Sequence, residues 1–200
     1  MFTGIIQTVG VVTSIAAKDG DVELCIEASR LDLSRTALGD SIACNGCCLT
    51  VTRLAEQTFY ADVSRETLNV TTLKYWRVST QINLETALRA GDPLGGHYVS
   101  GHVDGVGRVV AVANDGRSLR IELEVARSLG RYVAQKGSIC IDGVSLTVND
   151  VQDAGDTRFA VNLVPHTLEQ TTLKTYEVGA HINVEIDMIA RYLERIRAAP

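Results

Sequence analysis

The sequence predicts a mainly all-β protein with two tandem, similar barrels followed by a C-terminal amphipathic helix. Three observations lead to this fold class. The two halves of the chain repeat one another, short strands of alternating apolar and polar residues recur at a spacing of roughly ten residues, and only the tail shows a clear helical period.

The repeat is visible at two offsets. Residues 41–51 and 138–148 share Ser, Ile, Gly, Leu, Thr and Val at matching places, 97 residues apart. Residues 67–74 match residues 167–174 at a distance of 100 residues. We interpret the change from 97 to 100 as a three-residue insertion in the polar turn at residues 153–156.

The unit boundaries follow from the repeat and from a glycine-rich run at residues 91–96. The predicted units are an N-terminal barrel at residues 1–96, a C-terminal barrel at 97–187 and a helix at 188–200. The helix is amphipathic, since its apolar residues recur at helical spacing; they are Ile189, Tyr192, Leu193 and Ile196. This apolar stripe must cover either the protein's own barrels or another subunit.

The stretch CNGCCLTV at residues 44–51 allows two interpretations. Its three cysteines suggest a metal or redox site, whereas Asn45-Gly46 between apolar residues is typical of a two-residue type I′ hairpin. In the second copy the dipeptide becomes Asp142-Gly143, which suits the same turn, and all three cysteines are replaced. Because the turn persists and the thiols do not, we predict a hairpin in each copy and no metal.

Two short helical stretches are also predicted in each copy. They lie near residues 34–38 and after Ser64 in the first copy, and near residues 126–132 and after Pro165 in the second.

The composition argues against several classes of function. With 46% hydrophobic and 22% charged residues and no long apolar run, the chain is typical of a soluble folded protein. A net charge of −5 without a basic cluster argues against nucleic acid or an anionic membrane as partner. The start, MFTGII, lacks the features of a secretory signal, so we expect a cytoplasmic protein with reduced cysteines and a small-molecule partner.

A duplicated binding barrel suits a reaction in which two copies of one ligand must meet. Holding both in a fixed pose removes an entropic cost worth up to roughly 7–11 kcal/mol. Matching polar positions would hold the shared parts of the ligand; they are Ser41 with Ser138 and Thr50 with Thr147. Differing positions would assign unlike roles; they are Ile5 with His102, Cys48 with Ser145 and Asp62 with Asn162.

Seven segments carry a resemblance to a known family. They are MFTGIIQTVG, CNGCCLTV, SRETLNVTTL, GGHYVSGHVDGVG, DGVSLTVN, VPHTLEQTTL and GAHINVEIDMIARYLER. In order and spacing, over essentially the whole chain, they resemble the riboflavin synthase (alpha chain) family. The resemblance implies two six-stranded Greek-key barrels, a homotrimer, and a transferase that uses no metal or organic cofactor. Its reaction is the dismutation of two molecules of 6,7-dimethyl-8-ribityllumazine into riboflavin and 5-amino-6-ribitylaminouracil.

The resemblance also implies one lumazine per barrel, at a site where the N-terminal barrel of one subunit faces the C-terminal barrel of a neighbour. The first site would be lined by Gly4, Ile5, Ile6, Cys48, Leu49, Thr50, Asp62, Val63, Ser64, Arg65, Glu66 and Thr67. The second would be lined by Gly101, His102, Val103, Ser145, Leu146, Thr147, Asn162, Leu163, Val164, Pro165, His166 and Thr167, with Lys136 reaching across the subunit boundary. Phe2 is expected in an ordered N-terminus that contributes to the site.

The chemistry asks for few protein groups, because the C7 methyl of the lumazine is unusually acidic. His102 is the candidate for proton transfer, since the ordinary pKa of histidine lies near neutrality. Cys48, Ser145 or a bound water would supply a nucleophile, and this choice stays open; Ser41 is a further catalytic candidate. The remaining histidines, His97, His166 and His181, are expected at the surface or in packing, although a ligand-side place for His166 is credible. Cys44 and Cys47 are expected in packing.

Two alternatives remain. The first is a non-catalytic lumazine- or flavin-binding antenna protein of the same superfamily, in which the motifs of one copy are degraded; here both copies are intact, which favours the enzyme. The second is the flavin-binding barrel of a reductase, which would need a nucleotide domain, and no G-x-G-x-x-G follows a strand in this sequence.

Overall fold

The computed structural model describes residues 1–198 and shows two closed barrels, each of six antiparallel strands. Barrel 1 contains β1 (Thr8–Lys18), β2 (Asp21–Glu27), β3 (Ser41–Cys44), β4 (Cys47–Ala55), β5 (Thr58–Val63) and β6 (Gln81–Thr86). Barrel 2 contains β7 (Gly105–Asp115), β8 (Ser118–Val125), β9 (Ser138–Ile141), β10 (Val144–Ala154), β11 (Asp156–Leu163) and β12 (His181–Ile186).

Both barrels have the same strand order. In barrel 1 the neighbours run β1-β2-β5-β4-β3-β6, and the strands of barrel 2 follow the equivalent order. Strands three to five of each barrel form a meander, and the second strand lies beside the fifth. This Greek-key arrangement confirms the predicted fold class.

Each barrel closes around its own apolar core. Along β4, the side chains of Cys47, Leu49 and Val51 are buried, whereas Cys48 and Thr50 face outward. The largest fully buried side chains include Ile26, Ile42, Phe59, Ile82 and Leu84 in barrel 1 and Ile121, Leu123, Ile139, Ile141 and Leu163 in barrel 2. Each such side chain stabilises the fold by about 1.5–3 kcal/mol relative to exposure.

The two predicted hairpins are confirmed and they meet each other. Asn45 and Gly46 have φ angles of 43° and 76°, and Asp142 and Gly143 have 43° and 83°, as a type I′ turn requires. A Cβ atom added to Gly46 would lie 2.7 Å from the backbone nitrogen of Gly143. The turns therefore pack backbone to backbone, which only glycine at this position permits.

Two buried asparagines join the barrels crosswise. Asn83 of barrel 1 donates to the carbonyl of Asp142 at 2.9 Å and accepts from the Thr172 N–H at 2.8 Å. Asn183 of barrel 2 donates to the carbonyl of Asn45 at 2.9 Å and accepts from the Thr72 N–H at 2.7 Å. These amides satisfy backbone groups of the opposite barrel in a buried polar contact.

Three of the four predicted short helices are present at their predicted positions, and the fourth segment is not helical. Helix α1 (Arg65–Val70) follows Ser64, α2 (Arg127–Gly130) lies in the second copy, and α3 begins at its Pro165 (Pro165–Gln170). The helix predicted near residues 34–38 is wrong, since this segment forms turns. Carboxylates of Asp32 and Asp40 accept from the backbone N–H groups of Ser34 and Ala37, and such local bonds compete with a helix.

The predicted three-residue insertion lies at the tip of one hairpin. In barrel 1 the last pair of the β4–β5 hairpin is Ala55 with Thr58, whereas the β10–β11 hairpin extends to Ala154 with Asp156. The second copy thus lengthens a solvent-exposed hairpin and leaves the barrel itself unchanged.

The predicted tail helix is confirmed as α4 (Met188–Ala198), while residues 199 and 200 of the predicted range lie outside the described residues. Its apolar stripe does not pack on the protein's own barrels. Ile189, Tyr192, Leu193 and Ile196 are each at least 60% exposed. The polar side of α4 faces barrel 2, where Arg191 pairs with Asp104 at 2.7 Å and Glu194 pairs with Arg131 at 2.6 Å. Within residues 1–198, no helix is both long and apolar enough to cross a membrane.

Candidate active sites

Residues 2–6 and residues 99–103, the two lead segments, run side by side. Phe2 and Val99 exchange backbone hydrogen bonds at 2.7 and 3.1 Å, and the Phe2 side chain is fully buried. The expectation of an ordered N-terminus is therefore confirmed. From the Phe2–Val99 pair, each segment continues to the barrel of the other copy.

Each lead segment lies against the barrel of the other copy. The Gly4 carbonyl accepts from the Ser145 N–H at 2.8 Å, and the Gly101 carbonyl accepts from the Cys48 N–H at 2.9 Å. A Cβ on Gly4 or Gly101 would lie 2.6 Å from the Cβ of Ser145 or Cys48, respectively, which explains the glycines. Beyond these contacts, Ile6 packs against the barrel 2 core and Val103 against the barrel 1 core.

This crossing corrects the predicted grouping of the site residues. The grouping implied by the resemblance placed Gly4, Ile5 and Ile6 in the first site and Gly101, His102 and Val103 in the second. The hydrogen bonds exchange the two segments. We use the term barrel 1 site for the predicted lining residues regrouped in this way, which are Gly101, His102 and Val103 with residues 48–50 and 62–67. The barrel 2 site is the corresponding group of Gly4, Ile5 and Ile6 with residues 145–147 and 162–167.

The strand register brings the predicted polar residues of each site together. Thr50 pairs with Ser41 across β3 and β4, and the following residue, Val51, pairs with Ala61 beside Asp62. Four predicted lining residues turn into the cores; they are Leu49, Val63, Leu146 and Leu163. These four can offer a ligand their backbone groups but not their side chains.

Ser145 has a histidine beside it that the sequence did not identify as part of a site. Its hydroxyl lies 2.7 Å from Nδ1 of His97, whose side chain is almost fully buried. The backbone N–H of His97 donates to the Thr3 carbonyl. Burial lowers the pKa of His97, partly opposed by the negative charge of Asp187, so the imidazole is neutral near pH 7. A neutral imidazole in hydrogen-bond contact with a hydroxyl can accept its proton.

Cys48 and His102 form a different arrangement in the barrel 1 site. Among the residues that the structure describes, neither the Cys48 thiol nor the exposed imidazole of His102 makes a hydrogen bond. The backbone N–H of His102 donates to the Ser100 hydroxyl at 3.2 Å, which fixes the main chain and leaves the ring free.

The other two cysteines of the hairpin are packing residues, as predicted. Cys44 and Cys47 pair across the turn and both are buried. Burial raises the pKa of Cys44 well above its ordinary value and that of Cys47 to about 12, so both stay protonated.

The outer rims of the two sites differ in charge. In barrel 1 the Lys18 ammonium lies 3.0 Å from the Asp62 carboxylate. At the matching positions of barrel 2, the Asn162 amide donates to Asp115 at 2.6 Å. The exposed Lys136 has a φ of 66° in a turn whose counterpart in the first copy is Gly39.

Helices α1 and α3 begin differently at the two sites. Ser64 caps α1 by accepting from the Thr67 N–H at 3.2 Å, whereas α3 has Val164 at this position and makes no side-chain cap bond. Arg65 and Glu66 of the first copy become Pro165 and the exposed His166 of the second, while Thr67 and Thr167 are shared.

Comparison with known proteins decides the family. The lumazine binding domain matches residues 3–87 and again residues 100–187. The chain is 43% identical to the riboflavin synthase of Photobacterium phosphoreum over 98% of this chain and 88% of that protein, and 41% identical to the riboflavin synthase of Brucella abortus (strain 2308) over 98% of both. The chain belongs to the riboflavin synthase family.

Two solved structures are also similar over most of the chain. LumP complexed with 6,7-dimethyl-8-(1'-D-ribityl) lumazine has a TM-score of 0.81 and 28% identity, covering 92% of this chain and 98% of that chain. LumP complexed with riboflavin has a TM-score of 0.83 and 29% identity, covering 93% and 99%. These relatives share the two-barrel fold, and the riboflavin synthases are the more similar in sequence.

In this member of the riboflavin synthase family, a cleft of about 420 Å³ adjoins the barrel 2 site. Its lining includes Thr3, Ile5 and Gly95, and also Arg35 and Arg89. The cleft is open to solvent.

Proposed function

We propose that this protein is a riboflavin synthase, which converts two molecules of 6,7-dimethyl-8-ribityllumazine into riboflavin and 5-amino-6-ribitylaminouracil by transfer of a four-carbon unit. The supporting observation is a pair of similarly built sites, one per barrel. Each has a lead segment as its wall, a type I′ hairpin and a threonine at the matching position, but the reactive groups of the two sites differ. Such a pair suits two identical substrates that react in unlike ways. The full-length similarity to riboflavin synthases supports the same conclusion.

We assign the unlike roles to the two barrels. The lumazine in the barrel 1 site would lose a proton from its C7 methyl to His102, whose ring is free to reach a ligand. The lumazine in the barrel 2 site would receive a nucleophile at C7. Ser145 is the preferred nucleophile over Cys48, because its hydroxyl has the His97 imidazole at 2.7 Å as proton acceptor. A new O–C7 bond forms as the hydroxyl proton passes to His97 Nδ1, and the electron pair moves into the ring.

The polar residues of each site suit the rest of the ligand. Backbone N–H and C=O groups of the outward strand ends can satisfy a flat heterocycle, and short hydroxyl side chains can bind the ribityl chain. The hydroxyl candidates are Ser41, Thr50, Ser64, Thr67, Thr147 and Thr167, and Asp62, Asn162, His166 and Lys136 are further ligand contacts.

We also propose a homotrimer that acts in the cytoplasm without a metal or organic cofactor. The exposed apolar stripe of α4 supports assembly, since such a face is stabilised when another copy covers it. Removing the chain from Arg191 onward should reduce the trimer fraction in light scattering and lower turnover, because each complete site would need two subunits. A truncated monomer with full turnover would refute the shared site.

The deciding experiment supplies the purified protein with 6,7-dimethyl-8-ribityllumazine alone, in the presence of a chelator, and follows both products by chromatography. We expect one riboflavin for every two lumazines consumed. The Ser145→Ala variant is the matched control for background conversion. Binding of the lumazine without any product would instead favour an antenna protein, the class to which the LumP structures point as the alternative.

A further inference from the structure

Two buried carboxylates, outside the residues assigned to the sites, hold the two lead segments. Glu85 on β6 and Glu185 on β12 are repeat counterparts, and each is only 3% exposed. The sequence shows that both copies keep this glutamate but gives no reason for it. Burying a carboxylate is costly unless hydrogen bonds satisfy its oxygens, so its presence in both barrels requires an explanation.

Both carboxylates are satisfied by the lead segments. Glu85 accepts from the backbone N–H and the hydroxyl of Thr3, each at 2.6 Å, and from the Gly4 N–H at 3.0 Å. Glu185 accepts from the backbone N–H of Ser100 at 2.6 Å, from its hydroxyl at 2.7 Å, and from the Gly101 N–H at 2.9 Å. Hydrogen bonds to an ionised acceptor are among the strongest in proteins, so each segment is held by three of them.

The segment that each glutamate holds forms the wall of the other barrel's site. Glu85 belongs to barrel 1, yet Thr3 and Gly4 accept hydrogen bonds from the backbone N–H groups of His97 and Ser145 at the barrel 2 site. Glu185 belongs to barrel 2, yet Gly101 accepts from the Cys48 N–H at the barrel 1 site.

We propose that Glu85 and Glu185 are positioning residues that act crosswise. Glu85 fixes the Ser145–His97 pair of the barrel 2 site, and Glu185 fixes Cys48 and the main chain of His102 at the barrel 1 site. The effect on turnover rests on the proposed function, whereas the positioning itself can be tested without substrate.

The test uses the full-length variants Glu85→Gln and Glu185→Gln, since glutamine keeps the size but loses the charge and one acceptor atom. Two reporters distinguish the sites in the ligand-free protein. Alkylation by iodoacetamide, located by peptide mass spectrometry, reports on Cys48, because the other four cysteines are buried. NMR titration of the imidazole reports on His97.

The expected result is a crosswise split. E185Q should raise the alkylation rate of Cys48 about tenfold, the scale of losing one hydrogen bond to a charged group, and leave the His97 titration unchanged. E85Q should shift the His97 titration and leave Cys48 alkylation unchanged. Equal effects of both variants on both reporters, or no effect in folded protein, would overturn the proposal.

Milder variants cover the case in which a glutamine variant does not fold. Thr3→Val and Ser100→Ala each remove the hydroxyl contact and keep both backbone contacts, and they must show the same split in weaker form. Turnover is then measured for all four: E85Q should lower kcat more than it changes KM. If the reporters split crosswise but the wild-type protein forms no riboflavin, the proposed function fails and the positioning role stands.

Discussion

The two barrels have the same strand order, the same type I′ hairpin and the same glutamate-held wall, yet their reactive groups differ. Barrel 2 has a serine with a buried histidine, whereas in barrel 1, among residues 1–198, no base is hydrogen-bonded to the cysteine and an exposed histidine lies nearby. Duplication has thus kept the groups that shape a site and changed those that can react. Substitutions that exchange or remove one copy's features show which differences matter.

The largest effect is expected for the Ser145→Ala variant. Without the hydroxyl that His97 can deprotonate, we expect kcat for riboflavin formation to fall roughly 10³-fold, within the usual range for losing proton-transfer or nucleophilic assistance. Cys48→Ala, the matched change in barrel 1, should cost less than about tenfold. A larger loss in C48A than in S145A would reverse the assignment of roles.

The next effect concerns stability at the turn between the barrels. Burial raises the pKa of Asp142 to about 7, although the Tyr176 hydroxyl and the Asn183 N–H donate to this carboxylate. An acid with a higher pKa in the folded than in the unfolded chain binds more protons when folded. Its contribution to the free energy of unfolding therefore falls as the pH rises from about 4 to 7, by roughly 2 kcal/mol between pH 5 and pH 7. Above pH 7 the contribution is constant.

The first copy supplies the comparison, because Asn45 occupies the same turn position and accepts from the Asn83 N–H at 2.7 Å. Asp142→Asn should remove this part of the pH dependence in urea denaturation, and Asn45→Asp should add a similar dependence. An unchanged difference in free energy of unfolding between pH 5 and pH 7 in D142N would show that the Asp142 carboxyl is not responsible.

A smaller effect is expected at the turn that contains Lys136. A lysine at a φ of 66° is strained, whereas Gly39 adopts a φ of 89° in the matching turn without strain. Lys136→Gly should stabilise the protein by about 0.5–1 kcal/mol and weaken lumazine binding, which would indicate that the lysine is kept for the ligand. Gly39→Ala, where added atoms meet open space, should destabilise by about 1 kcal/mol. Equal lumazine affinity in K136G and wild type would remove Lys136 from the site.

The smallest effect is expected for Lys18→Ala. Its ion pair with Asp62 is exposed, and such pairs contribute little because water and salt screen them. We expect no resolvable change in the urea midpoint and only a slight loss of lumazine affinity, measured at low and at high salt. A large loss at both salt concentrations would show that Lys18 itself contacts the ligand.

Much of the fold could be predicted because the repeat separates turn-forming residues from variable ones. Asn45 and Asp142 differ in charge but share the left-handed turn conformation, so their comparison identified both hairpins. The helix near residues 34–38 was wrongly predicted, because the carboxylates of Asp32 and Asp40 bind nearby backbone N–H groups and favour turns instead.

The prediction of the candidate sites failed in the grouping of the lead segments and in missing His97. The predicted grouping of the lead segments was wrong because sequence proximity does not show which barrel a lead segment enters, and the roles of the individual residues stay predictions. His97 was missed because it lies at the start of the second copy and has no counterpart in the first, so comparison of the copies could not identify it. The available signal in the sequence was that His97 directly follows two glycines, Gly95 and Gly96. In the structure, their backbones approach Ile5 and Ser145.

The crossed lead segments have an evolutionary consequence. In the arrangement that we propose, neither half of the gene encodes a self-sufficient site, since residues 2–6 lie against the second barrel and residues 99–103 lie against the first. A mutation near Gly4 is therefore selected through the performance of the distant repeat, and recombination that replaces one half alone brings together walls and hairpins that have not been selected together. The two halves should diverge in sequence while remaining inherited as one unit.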